Sequence, residues 1–199
     1  SKLWWIRGMG AVTIAAAPPD ILGGVARLLV HPSGPLSGEL VVSGAKNSAL
    51  KLIAACVLAE GRFVLRNVPR ISDVDDMCAL LEAMGISSRW REDDALEIVR
   101  GAEVTPEAPY ELVERMRASS AVLGPLLASM GRASVAMPGG DDFGSRPIDM
   151  HLQGLEALGA TFTLTHGVIE GRAESLVGTE VVLDYPSVGA TENLLMAGV

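Results

Sequence analysis

Three short segments concentrate side chains that could bind and turn over an anionic substrate. The first, Ser43-Gly44-Ala45-Lys46-Asn47-Ser48, follows a β-branched run and opens an apolar-periodic stretch, so an ammonium, an amide and backbone N–H groups converge at a helix start. Such an end carries partial positive charge and suits phosphate. Its glycine pattern is neither a Walker loop nor a dinucleotide fingerprint, and a capped helix with a solvated lysine explains it equally well. The second segment, Arg115-Met116-Arg117-Ala118-Ser119-Ser120, sets two guanidiniums ahead of a helix-like stretch broken at Gly124-Pro125. One of them could grip a phosphate or carboxylate through two hydrogen bonds; the alternative is an ordinary surface pair.

The third segment runs from Met137 to His151 (MPGGDDFGSRPIDMH). Gly139, Gly140 and Gly144 suit a loop able to close over a substrate, with Asp141 and Asp142 at its centre. Arg146 lies just before a helix that Pro147 can open at its first position. His151 falls in the first turns of that helix, near its positive end. Read blandly, His151 is a hydrogen-bonded packing residue and the two aspartates solvate a turn.

The elements that must position these groups alternate short β-branched runs with amphipathic helices, which indicates an α/β domain. Strands are expected near 39–42, 62–65, 133–137 and 180–183. A helix is expected from Ser72, where Ser72 and Asp75 make a capping-box pattern and Val74, Met77, Cys78, Leu81 and Met84 follow at helical spacing. A second shows Ile148, Leu152, Leu155 and Leu158 in one phase. These helices are alike: residues 75–85 (DDMCALLEAMG) and 149–159 (DMHLQGLEALG) share their ends and a Leu-Glu-Ala core. Gly61-Arg62 and Gly131-Arg132 precede strands at nearly the same offset, and 43–45 resemble 188–190 about two periods on. An internal repeat of about 70 to 75 residues follows. Two copies are expected, with a third opening near Gly178 and cut short at Val199.

With 199 residues, 49% of them hydrophobic, the chain can bury a sizeable core. Its formal charge of −8 leaves no broad basic face for nucleic acid. Cys56 and Cys78 lie in apolar helical patterns without metal-ligand spacing, and read as buried free thiols of a reducing cytosol. Residues 1–24 are expected to be a poorly structured extension. Their apolar run is too short to span a bilayer, and a signal peptide is the lesser reading. No metal, cofactor or membrane partner is expected.

The motifs SGAKNSAL, NVPRISDVDD, RMRASSAVLGPL, PGGDDFGSRPIDMHLQGLEALGA and SVGAT occur in this order at fitting distances. Across about residues 25–199 the chain thereby resembles the UDP-N-acetylglucosamine 1-carboxyvinyltransferase family. The sister family acting on shikimate 3-phosphate shares the architecture but does not account for the PGG…RPxDxH segment. The resemblance implies an inverse α/β barrel of two lobes, each built from three βαβαββ-type units, with substrates in the cleft between them. This chain would be the first lobe, incomplete in its third unit, with the second lobe absent.

By the same resemblance, Lys46 and Asn47 contact phosphoenolpyruvate, and Arg117 and Arg146 hold anionic groups of the substrates. Arg146, Pro147, Ile148, Asp149, Met150 and His151, with Ser187 and Val188, would border the UDP-sugar. Tyr185-Pro186 departs from the family pattern, and Asp73 of the DVD element supports the site. The implied reaction is the first committed step of peptidoglycan synthesis, in the cytoplasm. Enolpyruvyl passes from phosphoenolpyruvate to the sugar 3-hydroxyl through a tetrahedral adduct, and phosphate leaves. Protonation at C3 needs a general acid. Relatives mostly place a cysteine there; this chain has Asp141, the catalytic candidate. A free aspartate titrates near about 3.9, so Asp141 must be raised by Asp142 and by desolvation against the pull of Arg146. An aspartate is also a weaker nucleophile than a thiol, which implies resistance to phosphonate epoxides such as fosfomycin. Two alternatives stand beside this reading: a catalytically incomplete UDP-sugar-binding half, and a transferase for another nucleotide acceptor.

Overall fold

The computed structural model describes residues 11–16, 28–33, 38–137 and 148–199. The chain divides into two units, Ser1–Val42 and Ser43–Val199. In the first, strand β1 (Ala11–Ala16) pairs antiparallel with β2 (Leu28–Ser33), Ala11 opposite Ser33 and Ala16 opposite Leu28. A hairpin therefore begins within the stretch read as an extension.

The second unit holds everything else. Helix α1 (Lys46–Ala55) leads to β3 (Gly61–Leu65), α2 (Ser72–Ala83), β4 (Ser87–Trp90) and β5 (Leu96–Arg100). Next come β6 (Glu107–Ala108), α3 (Tyr110–Val113), a 3-10 helix (Arg117–Val122), α4 (Leu123–Met130), β7 (Arg132–Ala136), α5 (Asp149–Ala157), β8 (Thr161–Thr165) and β9 (Val168–Arg172). Helix α6 (Val188–Ala197) closes the series. The first sheet has the order β3-β5-β4, and the second β6-β7-β9-β8. Strand for strand, β3 matches β7, β5 matches β9 and β4 matches β8, with antiparallel pairing throughout these triplets. Helices α2 and α5 occupy the same place in the two repeats. The sequence repeat is thus a repeat of topology.

Two expected strands are not formed. In the second sheet β6 runs parallel to β7, and 39–42 should play that part beside β3. Residues 38–45 instead carry no strand, with Leu40 and Val41 at 87% and 95% exposure. Residues 180–183 are likewise irregular, with Val182 80% exposed. The β-branched pattern is real, but no strand among the described residues lies alongside either segment to take its N–H and C=O groups, and a lone strand has no stability in water.

The capping box is not made either. Ile71 is the N-cap of α2, no side chain caps that end, and Ser72 is already helical. The carboxylates of Asp73 and Asp75 in the first turn complement the helix dipole instead. Nor do Gly124 and Pro125 break a helix: they sit in the first turn of α4, where a missing N–H costs little.

A continuous apolar core joins the repeats. It is built from Leu50 and Ile53 of α1, Met77, Leu80 and Leu81 of α2, Leu123, Leu126 and Leu127 of α4, and Leu155 of α5. Cys56 and Cys78 are free and buried. Burial, with a smaller push from Cys78, raises the Cys56 thiol to about 12, so it offers no thiolate near neutrality. No helix among the described residues is long and apolar enough to cross a membrane.

Candidate active site

The start of α1 is held by a glycine contact. The Gly44 N–H donates to Asn67 Oδ1 at 3.0 Å, and a Cβ on Gly44 would fall 1.8 Å from the Asn67 carbonyl oxygen. Only glycine lets the two turns touch. Asn67 itself is left-handed, with φ 56°. Ala45 is the N-cap and no side chain caps the helix, so its first N–H groups stay open. Lys46 is the first helical residue, and its Nζ pairs with Asp73 Oδ1 at 3.0 Å. With side-chain exposures of 50% and 33%, that pair contributes at most about 1 kcal/mol, so an arriving phosphate can draw the ammonium away. Asn47 is exposed beside it.

Asp76, one turn along α2 from Asp73, faces Arg115 Nη1 at 3.8 Å. One face of α2 therefore carries Lys46 at one end and the 115–117 segment further along. Arg117 opens the 3-10 helix, whose entry is fixed by Ser119: its single O–H is shared between the carbonyl of Met116 at 2.7 Å and the more distant one of Val113 at 3.2 Å.

The remaining described candidates gather at the starts of α5 and α6. Ile148 is buried as the N-cap of α5, and Asp149 Oδ1 accepts from the Met150 N–H at 2.9 Å. At α6, Ser187 Oγ accepts from the Ala190 N–H at 3.2 Å, which leaves Val188 exposed. His151 joins the two ends. A Cβ on Gly189 would lie 3.3 Å from its Nε2. Burial, then the neighbouring Lys51, hold His151 down to about 4 against the opposite pull of Asp149, so the imidazole is neutral near pH 7. Asp141, Arg146 and Pro147, with the rest of 138–147, lie outside the described residues, as does the side chain of Arg117.

Three polar residues went unread in the sequence. Lys51 Nζ pairs with Glu192 Oε2 at 2.8 Å across 141 positions, tying α1 to α6. Asn193 is fully buried between α4, α5 and α6. Its one available signal was a polar side chain within an apolar helical run. A shallow depression over β7 and β9, bordered by Glu107, Arg132, Glu170 and Arg172, contains none of the candidate residues.

Solved structures sharing this architecture are enolpyruvyl transferases of α/β fold. The enolpyruvyl transferase NikO from Streptomyces tendae superposes with a TM-score of 0.69 at 24% identity, over 82% of this chain and 38% of its own. EPSP synthase from Acinetobacter baumannii gives 0.63 at 19% identity, over 81% and 38%. The chain belongs to the EPSP synthase (3-phosphoshikimate 1-carboxyvinyltransferase) family, whose pattern matches residues 30–199. Among curated relatives, the UDP-N-acetylglucosamine 1-carboxyvinyltransferase of Gluconacetobacter diazotrophicus is 52% identical over 173 residues, 86% of this chain and 41% of that protein. The enzyme of the same name from Sorangium cellulosum is 51% identical over 163 residues, 82% and 38%. The chain thus spans about two fifths of the length of these relatives.

Proposed function

We propose that the chain is the first lobe of a transferase that moves enolpyruvyl from phosphoenolpyruvate to the 3-hydroxyl of UDP-N-acetylglucosamine, releasing phosphate in the opening step of peptidoglycan synthesis. The observation that carries the acceptor is the 52% identity, over most of this chain, to a relative bearing that name. The structural neighbours, at 24% and 19%, speak only to fold. On this reading residues 1–24 stand ahead of the lobe as an extension, and a second lobe completes the cleft.

The roles are those the family resemblance implies, and for the described residues charge and placement support them. Lys46, with Asn47 and the uncapped N–H groups of α1, receives the phosphate of phosphoenolpyruvate. Asp73 holds the ammonium until then and keeps it over the helix end. Arg117 and Arg146 neutralise the substrates' remaining anionic groups. Ile148, Asp149, Met150 and His151 on one side, and Ser187 and Val188 on the other, border the UDP-sugar. In the addition step the sugar oxygen bonds to C2 of phosphoenolpyruvate as its hydroxyl proton passes to a base supplied by the second lobe, while Asp141 in its acid form delivers a proton to C3. In the elimination step a proton leaves C3, the C2–O bond to phosphate breaks and the enol ether remains. Cys56 and Cys78 offer no substitute acid, both being buried within the core with raised thiol pKa values.

Calorimetry with UDP-N-acetylglucosamine, UMP and UDP as separate titrants tests the acceptor; tighter binding of the amino sugar nucleotide is expected. A preference for UMP would overturn it in favour of another nucleotide acceptor.

A further inference from the structure

We infer that Asn193 is a positioning residue, whose amide holds His151 as the imidazole tautomer with its proton on Nε2 and ties that ring to the helix that begins at Arg117. The polarity of the amide is settled by backbone groups. The Gly124 N–H can only donate, so the atom 2.8 Å from it is Asn193 Oδ1. Nδ2 then donates to the Ser120 carbonyl oxygen at 3.1 Å. Its other N–H points at His151 Nδ1, 3.0 Å away. Only a lone pair can receive it, so Nδ1 carries no proton and the proton of the neutral ring is on Nε2. A proton on Nδ1 would set two donors face to face beside a fully buried side chain.

The helices are shaped around this contact. A Cβ on Gly124 would lie 2.4 Å from the Asn193 carbonyl oxygen, and one on Gly154 2.6 Å from Leu194 Cδ1. One on Gly189 would reach the Nε2 edge of His151 itself. Glycine at these places brings α4 and α5 against α6 closely enough for one amide to serve three elements. Burial disfavours a charged imidazole most and Lys51 adds to it, while Asp149 opposes them in part. What results is an uncharged N–H donor fixed between the starts of α5 and α6. That this spot borders the UDP-sugar rests on the proposed function; the tautomer does not.

Long-range 1H–15N correlation of the His151 ring in the 199-residue chain reads the tautomer directly. Expected is an unprotonated Nδ1 and protonated Nε2 from about pH 8 to about pH 5, the window left open by a group titrating near about 4. Asn193→Asp keeps an acceptor for the Gly124 N–H but turns an oxygen toward Nδ1. The proton should then move to Nδ1, or the ring become charged at a higher pH. Wild-type protein with its proton on Nδ1, or the same tautomer in wild type and Asn193→Asp, would overturn the inference. If Asn193→Asp does not fold, the wild-type spectrum decides alone. Titration with UDP-N-acetylglucosamine adds the functional arm. The wild-type ring signals should shift, and Asn193→Asp should bind about tenfold more weakly, the equivalent of one lost hydrogen bond. Absence of binding by wild type counts against the proposed function, while the tautomer result stands.

Discussion

At the scale of single residues, His151 gives the structure a defined acid response. An unfolded histidine titrates near about 6.5, while in the fold this one stays neutral down to about 4. Between those values the unfolded chain binds more protons, so stability falls as pH falls through that window and is unaffected by this group above it. The slope due to His151 is at most about 1.4 kcal/mol per pH unit. Urea midpoints at several pH values, compared between wild type and His151→Gln, should show the variant losing less stability from about pH 6.5 to about pH 4; parallel curves would exclude the assignment. The proposed mechanism makes the opposite demand of Asp141, a carboxyl that must keep its proton near neutrality. On the proposed mechanism Asp141→Asn abolishes phosphate release by the whole transferase. Asp141→Cys retains it and gains covalent inactivation by a phosphonate epoxide, seen as a mass increase on that residue. Unchanged turnover in Asp141→Asn would remove it from the general-acid role.

At the scale of elements, close approach between helices is set by glycine. Gly124→Ala should push α4 and α6 apart, since its Cβ would lie 2.4 Å from backbone oxygen that cannot swing aside, at a cost of about 1–3 kcal/mol. Gly101→Ala is the control: nothing lies within 4 Å of its Cβ, and its thermal midpoint should barely move. This difference was invisible in the sequence, because Gly124 acquires its neighbour from 69 positions away. What was legible were features that a segment carries within itself. The apolar period of Val74, Met77, Leu81 and of Leu152, Leu155, Leu158 located α2 and α5, and Gly-Arg before β-branched runs located β3 and β7. Residues 39–42 and 180–183 carry the same local signal, yet without a neighbouring strand among the described residues they form no sheet. The candidate site divided in the same way. Lys46 and His151 sit at helix starts, as read. That Asp73 would hold Lys46, and Asn193 hold His151, depended on contacts no periodicity encodes.

At the scale of the whole second unit, its repeats must behave as one body, because the candidate residues are shared among them. Lys46 belongs to the first repeat, Arg117 and His151 to the second, and Ser187 and Val188 to the segment that follows it. Apolar packing joins neighbours, but the ion pair from Lys51 to Glu192 reaches from the first repeat to α6 directly. At side-chain exposures of 21% and 33% it is better shielded than the Lys46–Asp73 pair, so its coupling belongs at the upper end of the surface range, about 0.5–1 kcal/mol. Lys51 also lowers the pKa of His151, so it acts on both the tie to α6 and the neutral imidazole. Removing it separates these roles. In a double-mutant cycle with Lys51→Met and Glu192→Gln, unfolding free energies at pH 7.5 should show that coupling, diminished in high salt. Lys51→Met alone should also raise the pKa of His151, because a positive neighbour has gone. Glu192→Gln should lower it, since Lys51 would then be less neutralised. Additive single substitutions, with an unmoved His151 titration, would show that the repeats are held together by their apolar core alone.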